Sequence, residues 1–374
     1  MQKTKKKLTK AQRRRRRRNR RIAWRTTLCV LTLIGLVLVA ALSAGQAAFN
    51  GPSQTVGDLL TVSMLETSAL KFVPRIFYSK EKVDEVVARN SVSEDNGETD
   101  TSLIVVAKPT PTPDPNVTPE PVEAVVEATP QPTPEPVPEN LLYTEDGIEL
   151  YQVKSGTYLG YMMVVQDPAR VAVGTCRDKF SESKGLQLKD IAKRYDALAA
   201  INGGGFEDKG GMGNGGMPMG LVISEGKVLH TGDPGKYNVT VGFNQDNIMV
   251  LAKNMTKSEA EEKGLRDAIT FGPALVVNGE PVSVKGASSG LNPRTAIGQR
   301  ADGAVLMLVI EGRQASSLGA TYADLISIML DYGAVNAINM DGGSSSLMYY
   351  KGEYVNNGVV LTGSRTMPTA FIVR

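Results

Sequence analysis

The sequence predicts a mixed, glycine-rich β-sheet domain with few helices, of the α/β or α+β class, preceded by a transmembrane helix and a disordered linker. Strand-like runs clearly outnumber helix-like runs over residues 141–374. Those residues also hold 33 of the 38 glycines, about twice the average usage. An uncharged apolar stretch and a proline-rich stretch come before them. A single large body with an N-terminal anchor is therefore expected.

Residues 1–25 are predicted to form a basic cytoplasmic tail. They carry 14 of the 42 Lys and Arg residues and no acidic residue, which leaves 28 basic against 39 acidic residues in the rest. A basic run of this kind is typical of contacts with nucleic acid or an anionic surface. The apolar stretch that follows favours a membrane topology signal instead, so no nucleic-acid partner is expected.

Residues 26–48 are predicted to form a transmembrane signal anchor, through which the protein contacts the membrane. They contain no charged residue and are long enough to cross a bilayer. Basic residues on the N-terminal side predict a cytoplasmic N-terminus and an extracellular body in a single-pass protein. A cleaved signal peptide, cut near the small residues 45–47, is the alternative. We favour the anchor because a stalk-like stretch follows it.

Two further segments separate the anchor from the body. Residues 49–90 are a juxtamembrane segment that mixes apolar and polar positions and receives no functional assignment. Residues 91–140 are acidic, and residues 109–138 hold 11 of the 20 prolines. Such a composition is typical of an extended polyproline spacer. The catalytic domain is accordingly placed at residues 141–374.

Within this domain, apolar and β-branched runs predict strands, and helical periodicity predicts three helices. The helices are predicted at 187–196, 257–263 and 322–332, the last with a capping box from Thr321 and Asp324 and a stop at Gly333. The strands are predicted at 158–165, 171–174, 197–201, 220–223, 239–243, 274–277, 295–298, 305–310, 335–339 and 370–373.

Composition excludes several kinds of chemistry. The two cysteines are Cys29, inside the apolar segment, and Cys176, so neither a disulfide within the body nor a Cys-based zinc site is expected. The single histidine, His230, lies in a predicted hairpin, and no Gly-x-Ser-x-Gly sequence surrounds the serines 344–346. No Gly-Lys-Ser/Thr or Gly-x-Gly-x-x-Gly motif follows a predicted strand in the context that phosphate-loop or dinucleotide binding requires. Serine hydrolase and nucleotide-binding functions are therefore disfavoured.

One strand, helix and strand unit predicts where a site would lie. The strand at 305–310 is followed by "EGRQASSLGA", the helix at 322–332, the strand at 335–339 and "MDGGSSS". This order predicts a parallel crossover, and parallel strands end at the same edge of a sheet. Glu311, Arg313 and Asp341 are thus expected at one rim, where such sheets bind ligands.

A second segment repeats this layout. "LKDIAKRYDALAAINGGGF" matches "YADLISIMLDYGAVNAINMDGG" in its order of helix, short strand, Ala-Ile-Asn and glycines. It ends in Asn202, glycines 203–205, Phe206, Glu207 and Asp208. Glycine-rich turns present backbone N–H groups to anions, although they also serve simply as tight turns. We expect both loops to face one site.

Two arginines with similar surroundings complete the candidate site. Arg294 in "NPRTAIG" and Arg365 in "GSRTMPTAFIV" each follow a turn and lead into a strand. The planar guanidinium group matches phosphate oxygens, whereas a solvated arginine is the alternative. Two carboxylates are the usual equipment for hydrolysing a glycosidic bond. The candidates are Glu311, Asp341, Glu207 and Asp208.

These motifs together resemble the phosphodiester glycosidase family. The resemblance is carried by "INGGGFEDKGGMGNGGMPMGLVISEGKV", "FGPALVVNGE", "NPRTAIGQ", "EGRQASSLGATYADLISIML" and "AVNAINMDGGSSSLMYY". It implies cleavage of a sugar-1-phosphodiester on the sugar side. The matching substrate-binding positions are Asn202, Gly203, Phe206, Arg294, Arg313, Gln314, Gly342, Gly343, Ser344 and Arg365. Asp341, Glu311 and Glu207 are the catalytic candidates, and Glu311 stands where the family often has Asp.

The sequence thus predicts a membrane-anchored extracytoplasmic hydrolase that acts on phosphodiester-linked sugar in cell-envelope or exopolysaccharide metabolism. Its partner is a sugar phosphate or a phosphodiester-linked polysaccharide. No cofactor is required by this chemistry, although carboxylate and backbone oxygens suit Ca²⁺ or Mg²⁺ and the metal site is left unknown. A non-catalytic envelope protein that binds phosphorylated polysaccharide is the alternative.

Overall fold

The computed structural model describes residues 9–67, 70–92, 98–106, 138–207, 213–235, 238–358 and 365–374. The helices are α1 (Lys10–Phe49), α2 (Gln54–Leu65), α3 (Pro74–Phe77), α4 (Lys80–Arg89), α5 (Leu188–Arg194), α6 (Lys257–Glu262) and α7 (Tyr322–Asp331). α1 is long and apolar enough to cross a membrane and its apolar part is fully exposed. It is a candidate membrane span, and its helical structure extends into the basic segment.

The described residues also form twenty strands. The first ten are β1 (Leu141–Glu145), β2 (Ile148–Lys154), β3 (Leu159–Val165), β4 (Val171–Thr175), β5 (Leu186–Gln187), β6 (Ala199–Asn202), β7 (Leu221–Ser224), β8 (Lys227–Thr231), β9 (Val239–Asn244) and β10 (Met249–Lys253). The others are β11 (Leu265–Phe271), β12 (Ala274–Val277), β13 (Glu280–Pro281), β14 (Arg294–Arg300), β15 (Val305–Ile310), β16 (Ala334–Met340), β17 (Met348–Tyr350), β18 (Glu353–Tyr354), β19 (Thr366–Met367) and β20 (Thr369–Val373).

Three sheets and one two-stranded ribbon, β19-β5, contain these strands. The largest sheet has the order β1-β2-β3-β15-β14-β16-β12-β13. The two five-stranded sheets have the orders β10-β9-β11-β7-β8 and β18-β17-β6-β20-β4. This sheet-rich domain with few helices confirms the predicted fold class. Within the described chain, neighbouring strands pair antiparallel, which favours the α+β form of that prediction.

The core lies on both faces of the largest sheet because β15 is apolar at every position. Val305, Met307 and Val309 belong to the cluster shared with the two smaller sheets. Leu306 and Leu308 face the opposite way and pack in the cluster that contains α7. Alternate residues of a strand point to opposite faces. An uninterrupted apolar run is therefore what a strand buried on both faces requires.

The predicted crossover is present, with one strand inserted in it. β15 and β16 run in the same direction, but β14 lies between them and is antiparallel to both. α7 connects them and begins with the predicted capping box of Thr321 and Asp324. Gly333 follows the helix with a φ of +82°, a backbone conformation that glycine adopts easily. The ends of β15 and β16 thus lie at one edge, beside the start of β14.

The segment after α1 folds onto the body, which differs from the predicted boundaries. Ser63 accepts a hydrogen bond from the Leu291 N–H (2.9 Å), and Asn90 accepts one from the Ala287 N–H (2.5 Å). A side chain at Gly290 would place its Cβ 2.3 Å from the Ser63 hydroxyl. Only glycine permits this approach. Residues 54–67 and 70–92 are therefore part of the folded unit.

The same correction applies to part of the predicted spacer at 91–140. The Asp100 N–H donates to the Asn278 side chain (2.7 Å), and the Val105 N–H donates to the Ala301 carbonyl (2.8 Å). Residues 98–106 therefore pack on the body. The proline-rich stretch at 107–137 lies outside the described residues.

Candidate active site

The pairing of strands in the largest sheet places Glu311 and Asp341 at one edge of the sheet. Arg294, the first residue of β14, pairs with Ile310, and the next residue, Thr295, pairs with Met340. Glu311 and Asp341 directly follow these two partners. The start of β14 thus lies between the two carboxylate-bearing strand ends, which share one edge as the predicted crossover requires.

The two glycine-rich loops meet at this rim, as the sequence predicted. The Asn202 amide donates to the Asp341 carbonyl (2.6 Å), and the Asp341 N–H donates to the Gly203 carbonyl (3.2 Å). The Asn202 side-chain oxygen accepts from the Thr295 hydroxyl (2.7 Å) and the Leu347 N–H (3.1 Å). Asn202 is 1% exposed. Its side chain therefore holds the loops together rather than facing the cavity.

A cavity of about 260 Å³ opens beside these loops. Of the predicted site residues, it is lined by Phe206, Arg294, Arg313, Asp341, Gly342, Gly343, Ser344 and Arg365. Its other lining residues are Glu66, Gly205, Met219, Phe271, Asn292, Tyr322, Asn339 and Ser345. The cavity therefore combines cationic, carboxylate and hydroxyl groups from both loops.

Arg294 is held firmly at the floor of this cavity. Its Nε donates to the Ala320 carbonyl (3.2 Å), and its Nη2 donates to the Ser289 hydroxyl (2.6 Å). The guanidinium stacks over the Tyr322 ring at 4.4 Å from the ring centroid. Its Nη1 lies 3.8 Å from a Glu66 carboxylate oxygen. These contacts fix the orientation of the charge and leave Nη1 on the side of Glu66.

Arg313 adds a second cation close to the first. Its Nη2 donates to the Asn292 side-chain oxygen (2.9 Å). Loss of hydration and the nearby Arg294 charge lower the pKa of Arg313, while Glu66 opposes this effect. Arg313 as a residue is exposed, and an arginine guanidinium keeps its charge in proteins. Two neighbouring guanidinium groups of this kind favour binding of an anion.

Arg365 is the third arginine that lines the cavity. Its Nη1 donates to the Ser344 hydroxyl (3.2 Å), and its guanidinium lies over the Phe206 ring, 4.9 Å from the centroid. Phe206 is itself buried. This arrangement joins the first glycine loop to the last one through a stacked arginine.

The "DGGS" turn gives Asp341 its position. An Asp341 carboxylate oxygen accepts from the Gly342 N–H (3.0 Å). Gly343 has a φ of +63°, and a Cβ there would come within 3.3 Å of the Arg313 Nη1. Glycine is needed at this position for its conformation and for the closeness of the arginine.

The carboxylate of Glu311 faces away from the cavity, although it stands at the predicted rim. It is 3% exposed, and its two oxygens accept from the Asn357 N–H (2.7 Å) and the Gln314 amide (3.0 Å). Neither Glu311 nor Gln314 lines the cavity. A strand end fixes where the backbone is, but the side-chain direction depends on the local hydrogen bonds. The structure shows internal hydrogen bonds for Glu311 and Gln314, and the contact of either residue with substrate stays a prediction.

Glu207 also lies outside the cavity lining. Its side chain is exposed, while its N–H donates to the Met217 carbonyl (3.0 Å). Asp208 lies outside the described residues. His230 is in the predicted hairpin and packs edge-on against Phe180 (6.1 Å). Among the described residues no group of three His, Cys, Asp or Glu side chains is arranged to hold a metal ion.

The cavity residues that sequence reasoning missed include Glu66, Asn292, Tyr322 and Asn339. Asn292 and Tyr322 lie within the recognised motifs "NPRTAIGQ" and "EGRQASSLGATYADLISIML", so those motifs could have indicated them. Asn339 is the asparagine of "AINMD" and could have been found by analogy with Asn202. Nothing in the local sequence marks Glu66, because it reaches the site only through the packing of α2.

The comparisons with known proteins agree with this geometry. Residues 195–374 match the phosphodiester glycosidase family model. This family match supports a glycosidase-type hydrolase function.

Among particular proteins, the chain is 33% identical over 186 residues to the SPbeta prophage-derived uncharacterized protein YomE of Bacillus subtilis. The match spans 48% of this chain and 28% of that relative. The catalytic domain of zebrafish N-acetylglucosamine-1-phosphodiester alpha-N-acetylglucosaminidase, auto-inhibited by pro-peptide, is similar at 21% identity with a TM-score of 0.51. This likeness covers 61% of this chain and 82% of that one and shows the fold. A hypothetical protein from Synechocystis is similar at 16% identity with a TM-score of 0.45, covering 61% of this chain and 62% of that one.

Proposed function

We propose that the protein is a membrane-anchored, extracytoplasmic glycosidase that hydrolyses a sugar-1-phosphodiester bond in an envelope glycan or exopolysaccharide. The observation that supports this most directly is one cavity that holds the Asp341 carboxylate beside the guanidinium groups of Arg294, Arg313 and Arg365. A sugar-1-phosphodiester presents an anion next to an acetal carbon. The cavity offers a matching set of charges for both parts.

In the proposed reaction, the bond between the anomeric carbon and the phosphate oxygen breaks, and the bonding electrons leave with the phosphate. An oxygen of water then supplies the new bond to the anomeric carbon. Asp341 is the carboxylate at that carbon, where it stabilises positive charge in the transition state. Whether it accepts the proton of water or first bonds to the sugar is read from the configuration of the released sugar.

The arginines stabilise the departing phosphate. A phosphate monoester is a weak base, so its departure needs little protonation, and fixed positive charge serves in place of a general acid. Arg294 is already oriented by Ala320, Ser289 and Tyr322. Such groups need no rearrangement as negative charge develops on the leaving oxygen.

The membrane part of the proposal rests on α1 and its charges. The helix is a candidate span, and the arginine run precedes its apolar part. Basic residues remain on the cytoplasmic side. A cytoplasmic basic tail would put the body outside the cytoplasm, and the short connection from α1 to α2 would keep it near the bilayer surface.

The test is release of sugar by the full-length chain in lipid nanodiscs from a panel of UDP-sugars and simpler sugar-1-phosphodiesters. We expect Asp341→Asn to lower turnover about 10²- to 10⁴-fold. Glu207→Gln, an exposed carboxylate outside the cavity, is the matched control and leaves turnover unchanged. Equal turnover by wild type and Asp341→Asn would remove Asp341 from the chemistry.

A second arm of the experiment adds a chelator. Turnover is expected to persist because arginines supply the positive charge at the phosphate. A loss that Ca²⁺ or Mg²⁺ restores would instead place a cation in the site. Binding of phosphorylated polysaccharide by the wild type, with no sugar released from any substrate, would favour the non-catalytic envelope protein.

A further inference from the structure

A second, larger cavity lies beside the candidate active site. Its volume is about 500 Å³, and its shape is formed by α2, α4 and the edge of the sheets. Its apolar lining residues include Val62, Leu65, Val87, Val92, Val239 and Pro273. An apolar cavity of this size next to a strongly polar one indicates a ligand with two unlike parts.

The two cavities adjoin each other and share two lining residues. Glu66 and Tyr322 line both of them. Arg294 lies at this junction, since it stacks over the Tyr322 ring and its Nη1 is 3.8 Å from Glu66. A phosphate held by this arginine would have one ester oxygen directed to the Asp341 loop and the other to the apolar cavity.

One wall of the apolar cavity comes from the segment that follows the candidate membrane helix. α1 ends at Phe49 and α2 begins at Gln54. The Tyr78 hydroxyl donates to the Phe49 carbonyl, and the Phe49 and Phe77 rings stack at 4.8 Å. These contacts tie the wall to the end of the helix. The cavity is thereby placed close to where a bilayer surface would lie.

We propose that the apolar cavity binds a hydrocarbon chain esterified to the substrate phosphate, so that the substrate is an amphipathic, lipid-linked glycosyl phosphodiester. This inference rests on the proposed function and specifies its substrate class. The sugar lies against Phe206 and Asp341, the phosphate on Arg294 and Arg313, and the chain between Leu65 and Val87. Burying the chain removes apolar surface from water, which favours substrates with longer aglycones.

The test measures equilibrium binding of methyl, propyl, pentyl and heptyl phosphate to the full-length chain in nanodiscs. Affinity is expected to rise with chain length, by up to about fourfold for each methylene that is fully buried. Leu65→Asn and Val87→Asp are expected to flatten this dependence. Val87 is 46% exposed, so its substitution is tolerated by the fold even where Leu65→Asn is not.

The matched control is Val56→Asp, which changes a valine of α2 that is also 46% exposed but does not line the cavity. It keeps the chain-length dependence of the wild type. An equal dependence in wild type and Val87→Asp would mean that the chains enter the bilayer, and it would overturn the proposal. An affinity that does not change with chain length would also overturn the proposal. The cavity would then be occupied by another segment of the chain or by a partner protein.

Binding and turnover separate this inference from the proposed function. Chain-length-dependent binding without release of sugar from any phosphodiester contradicts the hydrolase and retains the cavity. Turnover of short, polar phosphodiesters together with chain-independent binding retains the hydrolase and removes the lipid-linked substrate.

Discussion

Asp341 and Glu311 occupy equivalent places in the largest sheet and have opposite surroundings. Each comes directly after the last residue of a strand, and the two strands run in the same direction on either side of β14. Asp341 lines the cavity and accepts a hydrogen bond from the adjacent Gly342. Glu311 is buried, with both oxygens bound by Asn357 and Gln314. The Asp341 carboxylate therefore faces the cavity, whereas the Glu311 carboxylate is bound by hydrogen bonds inside the protein.

The difference arises from the turn at the end of each strand. After Asp341 come glycines whose backbone turns sharply and leaves the carboxylate at the cavity. After Glu311, the chain forms a short turn in which Gln314 pairs with Ser317, and its amide closes over the carboxylate. A carboxylate satisfied by the protein stabilises the fold, while one facing a cavity can contact a ligand. Position at a rim is thus necessary for a catalytic role but does not establish one.

The largest expected effect is a contrast between Asp341→Asn and Glu311→Gln. Asp341→Asn removes the charge in the cavity and lowers turnover about 10²- to 10⁴-fold, with little change in melting temperature. Glu311→Gln places an amide N–H against the Gln314 amide or the Asn357 N–H, which costs about 1–3 kcal/mol of stability, and it leaves turnover within a few-fold. Calorimetry and sugar release on both variants check this. A reversal of the two results would place the chemistry at Glu311.

Much of this site could be predicted from the sequence because its backbone is dictated locally. The apolar run of β15, the capping box of α7 and the glycines after Met340 each specify their own structure, and together they locate the rim. The direction of the Glu311 side chain could not be predicted. It depends on Asn357, which lies 46 residues away and carries no local signal.

A smaller loss of turnover is expected from Asn202→Asp. This change keeps an oxygen for the Thr295 hydroxyl and the Leu347 N–H but removes the donor to the Asp341 carbonyl. The loop that carries Asp341 should shift, and a displacement of about 1 Å costs up to about 10²-fold in rate. The reduction should appear in kcat more than in KM. A change confined to KM would indicate instead that Asn202 contacts the substrate.

The contribution of the N-terminal segment was also beyond sequence reasoning. A juxtamembrane segment and a spacer were expected to separate the anchor from the body, since residues 49–90 show no motif and the following stretch is rich in proline. The structure joins α2 to the body through Ser63, which requires the close approach at Gly290. Contacts between residues more than 200 positions apart leave no pattern within either segment, so Glu66 could not be assigned.

Glu66→Gln tests whether this third carboxylate resembles Asp341 or Glu311. A Glu66 carboxylate oxygen lies 3.8 Å from the Arg294 Nη1 within the same cavity. A bound phosphate would compete with this carboxylate for the positive charge of Arg294. Removing the Glu66 charge is expected to strengthen binding of inorganic phosphate severalfold. A change of this size corresponds to the free energy of a partly exposed ion pair. Titration calorimetry with phosphate measures it. Weaker binding in the variant would show that Glu66 supports the anion site.

The smallest expected effect is a change in stability at Asp58. Like Glu311, Asp58 has a carboxylate that accepts hydrogen bonds from neighbouring side chains or backbone. Arg89 binds both of its oxygens (2.5 Å each), and Asn90 donates to one of them (3.0 Å). The hydrogen bonds from Arg89, against an opposing effect of burial, lower the pKa of Asp58 below its ordinary value of 3.8. Because the folded-state pKa is lowered, the stability from this carboxylate is present above the unfolded-state pKa and is lost as the pH falls through the folded-state value.

The measurement for Asp58 is the melting temperature of wild type and Asp58→Asn between about pH 7 and about pH 3. The wild type should be the more stable at neutral pH, and the difference should shrink below about pH 4 as Asp58 takes up a proton. Turnover near neutral pH should remain unaffected if Asp58 only joins α2 to α4. A difference in melting temperature that persists unchanged at the acidic end would mean that the packing of the side chain, rather than its charge, holds this wall of the apolar cavity in place.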